Sequence, residues 1–193
     1  MPKQKVLTED ELLNEATDLF WKNGYHKTSI QDLVNEIGVN RASLYDNYKD
    51  KGELFNECLQ VYQKRIKKQI ETIFDESSSF KEGFERLFYE IVTIIRSEEK
   101  KGCMISNTYS ELLPSPNEKT NKILDNSQFF WISTLEKQLK KAIENKEVIS
   151  DINIKNIAQS MYATIVGVTI LGKTNTSNKK LIESFHTHLS IFI

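Results

Sequence analysis

The stretch Asn40-Arg41-Ala42-Ser43-Leu44-Tyr45-Asp46-Asn47-Tyr48 carries hydrogen-bonding side chains of the types that read duplex DNA. Arg41 suits a phosphate or a guanine edge, and Ser43 and Asn47 can donate to or accept from base edges. Thr28 and Ser29 stand where one helix should begin, and Lys51 stands at the start of another. Hydroxyls, helix-start amides and an ammonium are the groups that hold phosphate oxygens. The chemistry implied is recognition rather than bond making. The chain has no glycine-rich phosphate loop, no G-x-S-x-G and no H-E-x-x-H, and His26, His186 and His188 are scattered. His186 and His188 are expected on different faces of a helix, which disfavours a metal pair. The expectation is therefore a protein that is not an enzyme and has no cofactor. Charge is a weaker guide: residues 1–55 hold 7 Lys and Arg against 10 Asp and Glu. A nucleic-acid surface must be positive locally, around Lys27, Arg41, Lys49 and Lys51.

These residues need helices to position them. Seven glycines and three prolines in 193 residues give few turns, and apolar spacing near 3.6 dominates, so the fold class expected is all-α. Thr8-Glu9-Asp10-Glu11 is a capping-box pattern that opens a first helix carrying Leu12, Leu13, Ala16, Leu19 and Phe20, and Gly24 stops it. Thr28-Ser29-Ile30-Gln31 repeats that start signal for a second helix with Ile30, Leu33, Val34 and Ile37, which ends at Gly38. Asn40 caps a third, with Leu44, Tyr45 and Tyr48 as its apolar edge. Asp50-Lys51-Gly52-Glu53 opens a long helix toward Phe74 that could link two halves. Further helices are expected near 80–97, 103–113, 117–145, 154–172 and 178–192, with Pro114-Ser115-Pro116 as a firm stop. Two short helices meeting at a glycine-containing corner, supported by a preceding helix, form a helix-turn-helix whose second helix can enter a major groove. The same geometry also occurs in proteins that never touch DNA, where these polar residues would only cap helices and meet solvent.

Gly24-Tyr25-x-Lys27-Thr28-Ser29-Ile30-x-Asp32-Leu33-Val34, followed by Gly38-Val39-Asn40-Arg41-Ala42-Ser43-Leu44-Tyr45-x-x-Tyr48-Lys49-x-Lys51-x-x-Leu54, resembles the TetR family of transcriptional regulators. The resemblance implies an N-terminal three-helix DNA-binding domain over residues 1–55 and a helical effector-binding and dimerisation domain over residues 56–193. It implies a ligand-responsive regulator, a repressor, that binds a palindromic double-stranded operator as a homodimer and is released by a small-molecule effector. By the same resemblance Thr28 and Ser29 contact phosphate at the second helix start, and Asn40 caps the recognition helix. Arg41, Ser43, Tyr45 and Asn47 occupy reading positions, and Lys51 contacts phosphate. Tyr48 stands where phenylalanine is more usual and Asn47 where histidine is frequent.

Gly102-Cys103-Met104-Ile105-Ser106-Asn107-Thr108-x-x-Glu111-Leu112 resembles the start of the sixth helix in one branch of that family, where this helix lies beside the effector cavity. Candidate ligand-binding residues are Tyr62, Phe88, Cys103, Asn107, Tyr109, Trp131 and Tyr162, although an aromatic at helical spacing more often fills a core. Cys103 near a helix start could be a reactive thiol or a small buried hydrophobe. Ile157, Met161, Ile165, Val168 and Leu171, with small Ala158, Ala163 and Gly167, suit close helix packing. Leu181, Ile182, Phe185, Leu189 and Phe192 give the last helix an apolar face. Either set could belong to the core of one subunit; by resemblance, these last two helices form the dimer interface.

The net charge of −1 with 39% apolar and 27% charged residues suits a soluble globular protein. Met1 to Asp10 lacks the apolar stretch of a secretory signal, and Ile157 to Leu171 falls short of the roughly 20 residues that cross a bilayer. Cys58 and Cys103 cannot build a disulfide framework. A cytoplasmic protein with no membrane partner is expected.

Overall fold

The computed structural model describes residues 7–96, 101–174 and 176–190, and in them every regular element is a helix. In chain order these are α1 (Glu9–Asn23), α2 (Ile30–Ile37), α3 (Arg41–Asn47), α4 (Lys51–Asp75), α5 (Phe80–Arg96), α6 (Met104–Leu112), α7 (Glu118–Glu144), α8 (Ile154–Leu171) and α9 (Asn178–Leu189). Ser97 and Phe192, expected as helix ends, lie outside the described residues, as do the side chains of His188 and Leu189.

The helix starts follow from local chemistry. Thr8 and Glu11 close a reciprocal capping box on α1, and the Asn40 and Asp50 side chains accept from the third residues of α3 and α4; on α2 the box is closed by Ser29 and Asp32, one residue later than the Thr28-x-x-Gln31 spacing suggests, because the Thr28 hydroxyl is taken by the Gly24 carbonyl. Gly38 ends α2 in a left-handed conformation at φ 79°, which a side chain would strain. Glycine is also required at Gly83, because a Cβ there would come within 2.7 Å of the Phe74 ring where α5 turns back on α4.

Apolar side chains gather in two clusters. The lower one joins Leu12, Ala16 and Phe20 of α1 to Leu33 and Ile37 of α2, Leu44 of α3 and Leu54, Phe55, Cys58, Leu59 and Tyr62 of α4. It continues into Met104 and Ile105 of α6 and Ile123 and Leu124 of α7, so the head's core extends past residue 55 into the body. Phe20 and Phe55 meet edge to face at 5.0 Å, and Trp21 and Tyr62 do so at 5.1 Å, which fixes α1 across α4. The upper cluster joins the far half of α4 to α5, α7, α8 and α9, with Ile70, Phe84, Leu135, Ala158, Met161 and Phe185 at its centre. The α4 helix passes through both clusters and can carry a displacement from one to the other.

Candidate nucleic-acid interface and inner cavity

The α2–α3 corner separates the polar and apolar residues of its sequence cleanly. Leu44 and Tyr48 are buried and turn inward, whereas Arg41, Tyr45 and Asn47 are exposed and Ser43 is half-buried. Tyr45, grouped by its spacing with the inward pair, instead sits 44% exposed, and the Arg41 guanidinium lies 5.7 Å from its ring centroid. The α3 helix therefore offers an arginine, a phenol and an amide on one open edge. Asn47 Nδ2 donates to the Ser43 carbonyl at 3.0 Å, and Asn40 Oδ1 accepts from the Ser43 amide at 2.6 Å, so Asn40 acts here as the cap of α3.

The phosphate-side candidates differ from one another. Ser29 is exposed, and its hydroxyl donates to Asp32 Oδ2 at 2.7 Å; that bond holds the Asp32 carboxyl below its ordinary pKa range. Thr28 is fully buried: its hydroxyl donates to the Gly24 carbonyl at 2.7 Å and its amide to the Tyr25 carbonyl at 3.3 Å. Both its donors serve the corner before α2, so Thr28 shapes that corner rather than facing outward. Lys51 Nζ donates to the Tyr25 and Thr28 carbonyls at 3.1 Å each and lies 4.1 Å from the Tyr25 ring centroid. It fastens the α1–α2 corner to the start of α4, and these two bonds take two of its three donors.

The same corner is gripped from the other side by α6. Glu111, in the last turn of α6, accepts from the Tyr25 amide at 2.9 Å and the His26 amide at 2.6 Å. At the opposite end of α6, the Gly102 carbonyl accepts from Trp21 Nε1 at 2.8 Å. Gly24 has φ 86°, and a Cβ there would lie 2.9 Å from the Glu111 carboxylate, so glycine is needed for this close approach. The sequence reading assigned no role to Glu111 or Trp21. One local signal for Glu111 existed: a carboxylate in the last turn of a helix opposes the helix dipole and calls for donors from elsewhere.

Above this contact lies a narrow cavity of about 60 Å³ enclosed by α4, α5, α6, α7 and α8. Of the candidate ligand residues, Tyr62, Cys103, Trp131 and Tyr162 line it, together with Gln69, Glu90, Ser106 and isoleucines from α4 and α5 that the sequence did not single out. Tyr109 stands behind the wall, donating to the Leu124 carbonyl at 3.1 Å and lying 2.9 Å from the Tyr162 hydroxyl. Burial raises the Tyr62 and Tyr162 phenols well above the usual range, so both remain neutral. Phe88 falls outside this cavity; it stacks on Phe185 at 3.8 Å and borders an open groove between α4, α5 and α9. Asn107 also falls outside, accepting from Lys173 Nζ at 2.6 Å in the cleft between the head and α8. Spacing placed both on helix faces but could not say which neighbour each face met.

A helix-turn-helix head set on a helical body with an inner cavity defines a class of DNA-binding regulators. The family described as bacterial regulatory proteins, tetR family, matches residues 12–58, and the tetracyclin repressor-like C-terminal domain matches residues 83–188. The chain belongs to the TetR family of transcriptional regulators, a family of regulators and not of enzymes. It is 27% identical to the HTH-type transcriptional repressor ComR of Escherichia coli over 192 residues, covering 98% of this chain and 91% of that one. It is 25% identical to the HTH-type transcriptional regulator YezE of Bacillus subtilis, covering 99% of each. Among solved structures, the regulator CifR, crystallised as a cysteine mutant with a 26-bp double-stranded operator, superposes with a TM-score of 0.84 at 22% identity over 99% of this chain and 100% of that one. Reduced NemR of E. coli gives a TM-score of 0.85 at 16% identity over 95% and 96%. At these identities the structures establish the fold. Among the described residues no helix is long and apolar enough to cross a membrane.

Proposed function

We propose that this regulator is a repressor that binds a palindromic DNA operator as a homodimer in the cytoplasm and is released by a small-molecule effector. The observation that carries the DNA-binding half is the division of α3, with Leu44 and Tyr48 buried beneath an open edge of Arg41, Tyr45 and Asn47. In this reading Arg41, Ser43, Tyr45 and Asn47 meet base edges and nearby phosphates. Ser29 and Lys51 meet phosphates at the flanks, while Asn40 and Thr28 hold the helices that present them. Residues 1–55 form the reading head and residues 56–193 the effector and dimer body. The dimer is assigned to α8 and α9, because two such pairs make a four-helix bundle and set two heads on successive major grooves.

The effector half rests on α6. Its first turns wall the cavity through Cys103, Ile105 and Ser106, and its ends hold the head through Gly102 and Glu111. A cavity of about 60 Å³ has room for only a few waters. A larger molecule must move the walls apart, so it binds a widened state more tightly than this one, and the difference biases the equilibrium. Displacement of α6 carries the α1–α2 corner with it and turns the heads out of register. By linkage, operator binding must weaken effector binding by the same factor.

The test is selection of bound DNA from a random duplex pool, repeated across salt concentrations. An enriched inverted repeat with half-sites about one helical turn apart is the expected result. A pool that shows no enriched repeat while the protein is folded overturns the reading.

A further inference from the structure

We infer that the inner cavity takes an apolar molecule carrying a protonated amine, with Glu90 as the counter-ion at its mouth. This rests on the reading of the cavity as the effector site and names the chemistry that site would select. Among the described lining residues there is no lysine, arginine or histidine, and Glu90 is the one carboxylate. A carboxylic acid drawn into such a chamber would lose its hydration with no cation to pair with, at high cost. An ammonium would find a charge partner.

Proton accounting in the wall points the same way. The Leu124 carbonyl can only accept, so it takes the single hydroxyl proton of Tyr109. Tyr162 must then donate its own proton to Tyr109, 2.9 Å away, and its hydroxyl has only lone pairs left to offer. At Tyr162 the wall therefore offers only acceptor sites, which suit a donor such as an ammonium. Tyr62, Trp131 and Tyr162 add aromatic rings to the lining, and ring faces attract cations.

Position adds to composition. Glu90, Gln69 and Ile73 border both the inner cavity and the open groove between α4, α5 and α9, so they mark where the two meet. Gln69 Nε2 donates to Glu90 Oε2 at 3.5 Å, a long contact that leaves most of the carboxylate's accepting capacity unused. An amine nitrogen can rest there, half in water, while its hydrocarbon lies among the isoleucines within. The groove does carry basic groups, but Arg65 is paired with Asp18 at 2.9 Å and Arg86 with Glu76 at 3.0 Å, His186 lies 3.9 Å from Glu85, and Lys68 is exposed to solvent.

The experiment uses hexylamine, hexanol and hexanoate, matched in length and differing in charge, together with their decyl homologues. Binding to the full chain is followed by titration calorimetry and by release of the selected inverted-repeat DNA. The amines are expected to bind at least about tenfold more tightly than the alcohols and acids, and to release the DNA. Glu90→Gln is expected to abolish the amine preference and leave alcohol binding unchanged. Acids or alcohols binding as tightly as amines overturn the inference. So does Glu90→Gln leaving the preference intact, or the absence of amine binding into the millimolar range by a protein that still holds the DNA. If Glu90→Gln fails to fold, the wild-type series alone decides. A protein that never selects an inverted repeat overturns the regulator reading instead, which is a separate result.

Discussion

At Arg41 the guanidinium is exposed and meets the face of Tyr45, so removing it leaves the fold's core untouched. Arg41→Ala is expected to weaken operator binding by about 1–3 kcal/mol with an unchanged melting temperature. Affinity measured across salt distinguishes its roles: a flatter salt dependence marks a lost phosphate contact, and relaxed sequence preference marks a lost base contact. Thr28→Val should do the reverse. It leaves the Gly24 carbonyl without the buried hydroxyl that reaches it at 2.7 Å, which costs about 1 kcal/mol and lowers the melting temperature by about 2–4 °C. DNA affinity per folded molecule should hold, and a Thr28→Val protein of normal stability that binds DNA weakly would return this hydroxyl to the phosphate contacts. The cysteines make a similar contrast. Cys58 has no exposed surface and burial pushes its thiol up to about 12, whereas Cys103 is half-buried at the start of α6. A thiol reagent at neutral pH should label Cys103 in the native protein and reach Cys58 only after denaturant is added, as read by mass spectrometry.

The element on which regulation turns is α6, because one short helix touches both the cavity and the head. Replacing Glu111 by glutamine keeps the shape but removes the charge and one acceptor, so one of the Tyr25 and His26 amides loses its partner. Glu111→Gln is expected to bind operator and effector separately while the ratio of operator affinities with and without effector shrinks toward one. Coupling of this kind is commonly about 1–3 kcal/mol, large enough to read as a change in that ratio. A ratio that stays at the wild-type value would show that α4 alone carries the signal. Much of the head was legible in the sequence because its determinants are local. Thr8 with Glu11, Asn40 and Asp50 each act within three residues of the helix they start, so their spacing announces them, whereas at α2 the Thr28-x-x-Gln31 spacing points one residue too early and Ser29 with Asp32 forms the box. Glu111 is 85 residues from His26, and no local pattern encodes that pairing. The pocket candidates divided for the same reason. Helical spacing put Phe88 and Trp131 on apolar faces, but only the packing of other helices decided that one met Phe185 and the other the cavity.

For the molecule as a whole, the outer face of α8 suits contact with a second subunit. Met161, Ile165 and Val168 point into the upper core and are buried. Ala163 is exposed and Ile170 is 41% exposed, both on a second stripe that Gly167 also shares, and a Cβ built at Gly167 meets nothing within 4 Å. A glycine inside a helix costs about 1 kcal/mol relative to alanine, and a lone subunit gains nothing from it. Small residues on an apolar stripe do help if a second α8 crosses there, because they let two backbones approach closely. Gly167→Leu separates these cases. In one subunit the added side chain enters open space and raises helix propensity, so helix content by circular dichroism should be preserved. Between two subunits it occupies the crossing point, so light scattering should report a shift from dimer to monomer at micromolar concentration. Binding to the inverted repeat should then fall to the weak level of a single half-site, since the second head is no longer delivered with the first. A Gly167→Leu protein that remains dimeric and grips the repeat with wild-type affinity would move the interface away from this stripe.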